Sequence, residues 1–176
     1  MTKPLDWVFR TSETGGRRLN ESHEVSAEDR QELARMLDIL SCDALKVTYT
    51  LEPLKKDRFR LSGTIEAKVT QACVVTLEPV PSTISERFSV ELYPASDAAD
   101  TEVDPEEQEV LSTPDIEPYE NGRIDVGAIV YEHLSAALDP YPRKEGAEFD
   151  WVDPKIAADP TAVSPFAALA KLKPKV

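Results

Sequence analysis

Cysteine and histidine are scarce in this chain. Its 176 residues hold two cysteines, Cys42 and Cys73, and two histidines, His23 and His133. A structural zinc site needs about four sulfur or nitrogen ligands. These four side chains stand in unrelated contexts, so no metal is expected. Two cysteines are also too few for a disulfide framework, which agrees with a reducing compartment. No apolar run reaches the length of a membrane span, and "MTKPLDWVFR" lacks the apolar stretch of a signal peptide. A cytoplasmic protein without membrane contact is expected. Glycine-rich dinucleotide loops, Walker loops, HExxH and GxSxG are all missing. No catalytic template is met, no cofactor is called for, and a Cys73–His133 nucleophile and base would lack any surrounding motif.

Basic residues are scarce too, but only in the second half. The net charge is −13, and residues 1–90 carry 13 Lys+Arg against 14 Asp+Glu while residues 91–176 carry 7 against 19. From Glu91 to Glu120 there are eleven acids, four prolines and no base. Such a block repels phosphate, and a broad nucleic-acid groove depends on Lys and Arg to neutralise it. The block suits a basic protein partner, or it is simply a solvated loop.

The first half is patterned. Leu5–Phe9 has the composition of a short strand, and "TSETGGRRLNES" reads as a loop. Ser26 and Asp29 stand at the N-cap and N3 positions of a helix, with Leu33, Met36, Leu37 and Leu40 at the spacing of one apolar face. Three segments then alternate with period two. Leu45, Val47, Tyr49 and Leu51 form the first inward set. Phe59, Leu61, Ile65, Ala67 and Val69 form the second, and Ile84, Phe88, Val90 and Leu92 the third. Short links make them antiparallel neighbours, and Gly63 within the second suggests a bulge or bend. A second helix starts at Asp125 and is stopped by Pro140 and Pro142. The expected fold is α+β: an antiparallel sheet of three or more strands packed by a helix in the N-terminal half and a late amphipathic helix. Residues 1–150 would form one domain with a mobile acidic loop around 95–120. Residues 151–176 would form an extended tail, with "SPFAALAKLK" as a short closing helix.

Several blocks then occur in a familiar order: "GTIEAKVTQACVVTLEPV", "ISERFSVELYP", a variable acidic insert, "IDVGAIVYEHLSAALDPYPRKEGAEF" and "SPFAALAKLK". The chain from about Leu45 onward resembles the YceD family of large ribosomal RNA subunit accumulation proteins, in its alphaproteobacterial-type branch. The resemblance implies a non-enzymatic role in synthesis, processing or stability of 23S ribosomal RNA, with ribosome assembly as the setting. Many members carry Cys-x-x-Cys where this chain has Cys73-Val74-Val75-Thr76, and further cysteines where it has "DPYPRKEGAEF". No metal or disulfide role carries over, and Cys73 is expected to be a small buried hydrophobe.

Two modes of binding follow. In the first, the protein engages a basic ribosomal protein or a large-subunit assembly intermediate. Tyr141 and Arg143, held at a proline corner beside Glu78 and Pro79, are the candidate contacts, since tyrosine and arginine are frequent anchors. In the alternative, the sheet face near Lys55, Lys56, Arg58 and Arg60 touches RNA directly. A nuclease would need carboxylates clustered around metal ions, and the acids of the insert lie in a segment too loose to hold that geometry.

Overall fold

A computed structural model describes residues 5–13, 16–96 and 115–149. The chain divides into two units, Met1–Glu145 and Gly146–Val176. Everything below concerns the first. The expected closing helix, and the acidic insert from 97 to 114, lie outside the described residues.

The α+β expectation holds. In chain order the elements are β1 (Val8–Arg10), a 3-10 turn (Thr11–Glu13), β2 (Leu19–Glu24), α1 (Ala27–Met36), β3 (Ser41–Pro53), β4 (Phe59–Ala72), β5 (Pro79–Pro94), β6 (Asp115–Tyr119), β7 (Arg123–Asp125) and α2 (Val126–Ala137). Five strands form one sheet in the order β2-β3-β4-β5-β6, and β1 pairs with β7 in a separate two-stranded ribbon. All pairs are antiparallel except β5 with β6. The three alternating segments are β3, β4 and β5. Their inward residues join Leu33 and Ala34 of α1 and Ile129, Val130 and Leu134 of α2 in one core. Each large side chain buried there contributes roughly 1.5–3 kcal/mol.

The outward face of the sheet is polar. Three rows cross it, Lys46–Glu66–Ser85, Thr48–Thr64–Arg87 and Thr50–Ser62–Ser89, and none carries an aromatic ring.

α1 begins as its cap predicts. The Ser26 hydroxyl accepts the Asp29 N–H at 3.1 Å and donates to the Asp29 carboxylate at 2.7 Å. It ends earlier than the apolar spacing suggests. Asp38 takes a left-handed φ of 53°, and the Ile39 N–H returns to the Ala34 carbonyl, a closure that stops the helix. Leu33 stays in the core, while Met36 and Leu40 are exposed.

Other expectations change. The first strand is Val8–Arg10, not Leu5–Phe9. The "loop" after it contains β2, whose inward side carries Glu21 and His23 beside a single apolar residue, Leu19. The acidic stretch ends in β6. Gly63 is neither bulge nor bend. It keeps register between Tyr49 and Phe88, and the only irregularity between β3 and β4 falls at Cys42/Ala44. A Cβ at Gly63 would sit 2.5 Å from the Thr48 carbonyl oxygen and 2.8 Å from the Phe88 ring. Glycine leaves room for that ring against β4.

Gly63→Ala should therefore destabilise the protein by about 1–3 kcal/mol, the usual cost of overpacking. Urea denaturation measures it, and an unchanged midpoint would show that Phe88 can move aside without cost.

Candidate partner-binding surface

After Ala72 the chain leaves β4 and turns at Cys73–Glu78. The Leu77 N–H bonds the Cys73 carbonyl at 2.9 Å, and the Cys73 N–H bonds the Glu78 carbonyl at 2.8 Å. Leu77 takes a left-handed φ of 62° to close the turn. On the far side, α2 ends and its two prolines lead the chain back over this turn. Three bonds clasp the segments. The Val74 N–H donates to the Pro142 carbonyl at 2.9 Å, the Lys144 N–H to the Cys73 sulfur at 3.4 Å, and the Lys144 ammonium to the Glu78 carboxylate at 2.8 Å. A fourth tie lies just inside, where the Gln71 amide donates to the Asp139 carbonyl at 2.9 Å.

The clasp puts Glu78 and Pro79 at the base of the proline corner, which is where Tyr141 and Arg143 stand. Pro142 is buried, and Tyr141 is held by its own N–H on the Asp139 carboxylate at 2.9 Å. The Tyr141 ring is 74% exposed. Leu77 is 77% and Val74 48% exposed on the facing turn. Glu78 differs from the expectation in one respect. It is engaged with Lys144, and that hydrogen bond, then one from the Thr76 hydroxyl, lowers its pKa.

Cys73 is fully buried, as expected, but it is no inert hydrophobe. The Lys144 N–H first, then the Thr76 hydroxyl and the N–H groups of Thr76 and Val75, lower the thiol from an ordinary 9.0 to about 6 against the opposing effect of burial. These donors favour its thiolate form under the roof of the corner. Cys42, by contrast, is buried under α1 and its thiol is pushed up. Both cysteines are unpaired, and among the described residues no three metal-ligating side chains converge.

The basic candidates sit at the opposite end of the long strands. Lys55 and Lys56 are exposed on the β3–β4 turn, where Lys56 and Asp57 take left-handed φ angles. Arg58 is half-buried, with an Nε that has no hydrogen-bond partner among the described residues. Arg60 is tied to Glu91 of β5 at 2.6 Å.

A model of the large ribosomal RNA subunit accumulation protein YceD matches residues 61–173, from β4 through the proline corner and beyond. The chain belongs to the YceD family. No curated protein and no solved structure matches it. Membership implies a role in accumulation of large-subunit ribosomal RNA, and the YceD family is not known for enzymatic activity. No described helix is long and apolar enough to cross a membrane. Both halves of the clasp fall inside the YceD match, whereas β1, β2, α1 and β3 precede it.

An acid whose folded pKa is depressed adds stability above its ordinary pKa and loses it as pH falls through the folded value. For Cys73 that window runs from about 9 down to about 6. The stability difference between the native protein and Cys73→Ala should widen as pH rises across it. Denaturation midpoints at intervals through this range test the point, and a constant difference would show that the thiolate contributes nothing.

Proposed function

We propose that this YceD-family protein is a non-enzymatic factor that supports large-subunit ribosomal RNA by binding a basic ribosomal protein or assembly factor. The contact surface is the proline corner, with Tyr141 and Arg143 facing outward above the Glu78–Pro79 turn. One observation carries the reading. An exposed tyrosine stands on backbone pinned at Asp139 and Pro142, beside exposed Leu77 and Val74, within the family-matched region. A pre-ordered ring loses little entropy on binding, and an aromatic–arginine pair flanked by apolar side chains has the composition of an interface anchor. A net charge of −13 favours a basic partner.

Direct RNA contact through Lys55, Lys56, Arg58 and Arg60 has less support. Arg60 is already neutralised by Glu91. The three central rows of the open sheet face offer no ring for a base to stack on, and single-stranded RNA readers rely on such stacking.

The Tyr141→Ala, Arg143→Ala double variant should fold with native circular dichroism and fail to co-purify with large-subunit precursors. A folded variant that still co-purifies places the surface elsewhere. An unfolded one shows that the corner is packing.

A further inference from the structure

Edge strand β2 presents Glu21 and His23 on the inward side of the sheet, where its neighbour β3 presents Tyr49 and Val47. The polar pair is not left in the core. Trp7, on the segment entering β1, lies against it. The Trp7 and His23 rings stack with centroids 4.6 Å apart and planes at 22°, and His23 stacks in turn on Tyr49 at 5.6 Å and 10°. The Tyr49 hydroxyl lies 3.4 Å from the His23 Nε2. Burial first, and then the charge of Glu21, push the Tyr49 phenol up to about 12, so it stays neutral.

The placement of Trp7 is enforced from below. Gly127, in the first turn of α2, lets the entering strand touch the helix: a Cβ there would sit 1.9 Å from the Leu5 carbonyl oxygen. The Gly127 N–H also donates to the Trp7 carbonyl at 3.3 Å. Trp7 is thus delivered to β2 by backbone contacts that no side chain could replace.

These three rings share the lining of a cavity of about 370 Å³ with Asp6, Glu13 and Glu21. Among the described residues no lysine or arginine lines it. Among the described residues none of the three carboxylates makes an ion pair. The recess therefore combines aromatic surface with negative charge that nothing in the described fold neutralises. A phosphate would be repelled here, and an apolar group would strip water from carboxylates without replacing it. A guanidinium or ammonium answers both features, by charge-assisted hydrogen bonds to carboxylates and by attraction to an outer face of the stack, whose inner faces are taken up by one another.

We infer that the Trp7–His23–Tyr49 recess is a receptor for one lysine or arginine side chain of a basic protein partner. The inference rests on the partner-binding function proposed above and adds a second contact, outside the family-matched residues and distinct from the Tyr141 corner.

The test uses the full chain carrying Trp151→Phe, so that Trp7 is the sole indole, and an oligo-arginine peptide as probe. Trp7 emission should change saturably at physiological salt. Glu13→Gln with Glu21→Gln should weaken that response about tenfold. Glu106→Gln, Glu107→Gln and Glu109→Gln together, which remove charge from the acidic insert, should leave it nearly unchanged. Circular dichroism checks each fold, and the Glu→Gln pair keeps the test decisive if Trp7→Ala proves unstable. The inference is overturned if Trp7 emission does not respond, if the Glu13/Glu21 variant binds as tightly as the parent, or if oligouridylate RNA gives the same response. Co-purification separates it from the proposed function. A tagged protein that retains a basic ribosomal protein while its recess ignores the peptide leaves the function standing and removes the recess. A recess that binds the peptide in a protein that retains no such partner does the reverse.

Discussion

The register across β3, β4 and β5 sets Val47 opposite Ile65 and Leu51 opposite Leu61, and Leu61 in turn opposite Val90. A slip of one residue in any strand would turn its apolar set outward and bring Thr, Lys and Glu into the core. The functional geometry descends from this alignment. It fixes where β4 ends, and therefore where the Cys73 turn meets the chain returning from α2. It also holds Tyr49 at the height of Glu21 on the edge strand. Gly63 keeps the register continuous at the level of the Phe88 ring, which stacks on its other side with His133 of α2. Phe88 thus touches both the sheet and its late helix, beside the core contacts of Ile129, Val130 and Leu134.

How much of this was legible in the sequence follows from where the information resides. The three long strands announce themselves because each buries one face, and alternate side chains record it. Ser26 and Asp125 mark both helix starts because capping is a local interaction between a side chain and backbone a few residues on. β2 leaves only a faint record, since Leu19 is the one apolar residue on its inward side and the polar pair Glu21 and His23 is covered by Trp7 from elsewhere in the chain. β6 is short, acidic and contains Pro118, and it pairs in parallel at the sheet edge, a combination that strand patterns do not reveal. At the proline corner, Tyr141 and Arg143 were legible as candidate contacts from residue type and the flanking prolines. The clasp itself was not, because it is made largely of backbone groups. The same backbone donors lower the Cys73 thiol, an effect no residue pattern announces.

Charge is distributed with a purpose that net charge conceals. The sheet's open face is balanced across its rows, with lysine and arginine set among glutamate and hydroxyls. Arg60 with Glu91, Arg18 with Glu52 and Lys144 with Glu78 each cancel locally. Exposed pairs of this kind contribute little stability, about 0–1 kcal/mol each. Their effect is to neutralise charge locally on the surface. The carboxylates of the aromatic recess have no such pair among the described residues, and the sequence from Glu91 to Glu120 has eleven acids and no base.

The parallel pairing of β6 with β5 bears on how this chain can vary. β5 finishes at Pro94, yet β6 begins level with Val90 and runs in the same direction. A tight hairpin can only reverse a chain, so the connection must travel back along the sheet before pairing resumes. The acidic insert therefore has a hard lower limit on its length. Its upper limit is soft, because each doubling of a flexible loop costs only about 0.6 kcal/mol. A longer connection there would therefore cost little in loop-closure entropy. A deletion down to a turn would instead force β6 to pair the other way round, taking the Tyr119 ring from Phe59 and its hydroxyl from the Asp57 carbonyl. The segment with the least sequence pattern is thus free to lengthen and constrained in how short it can become.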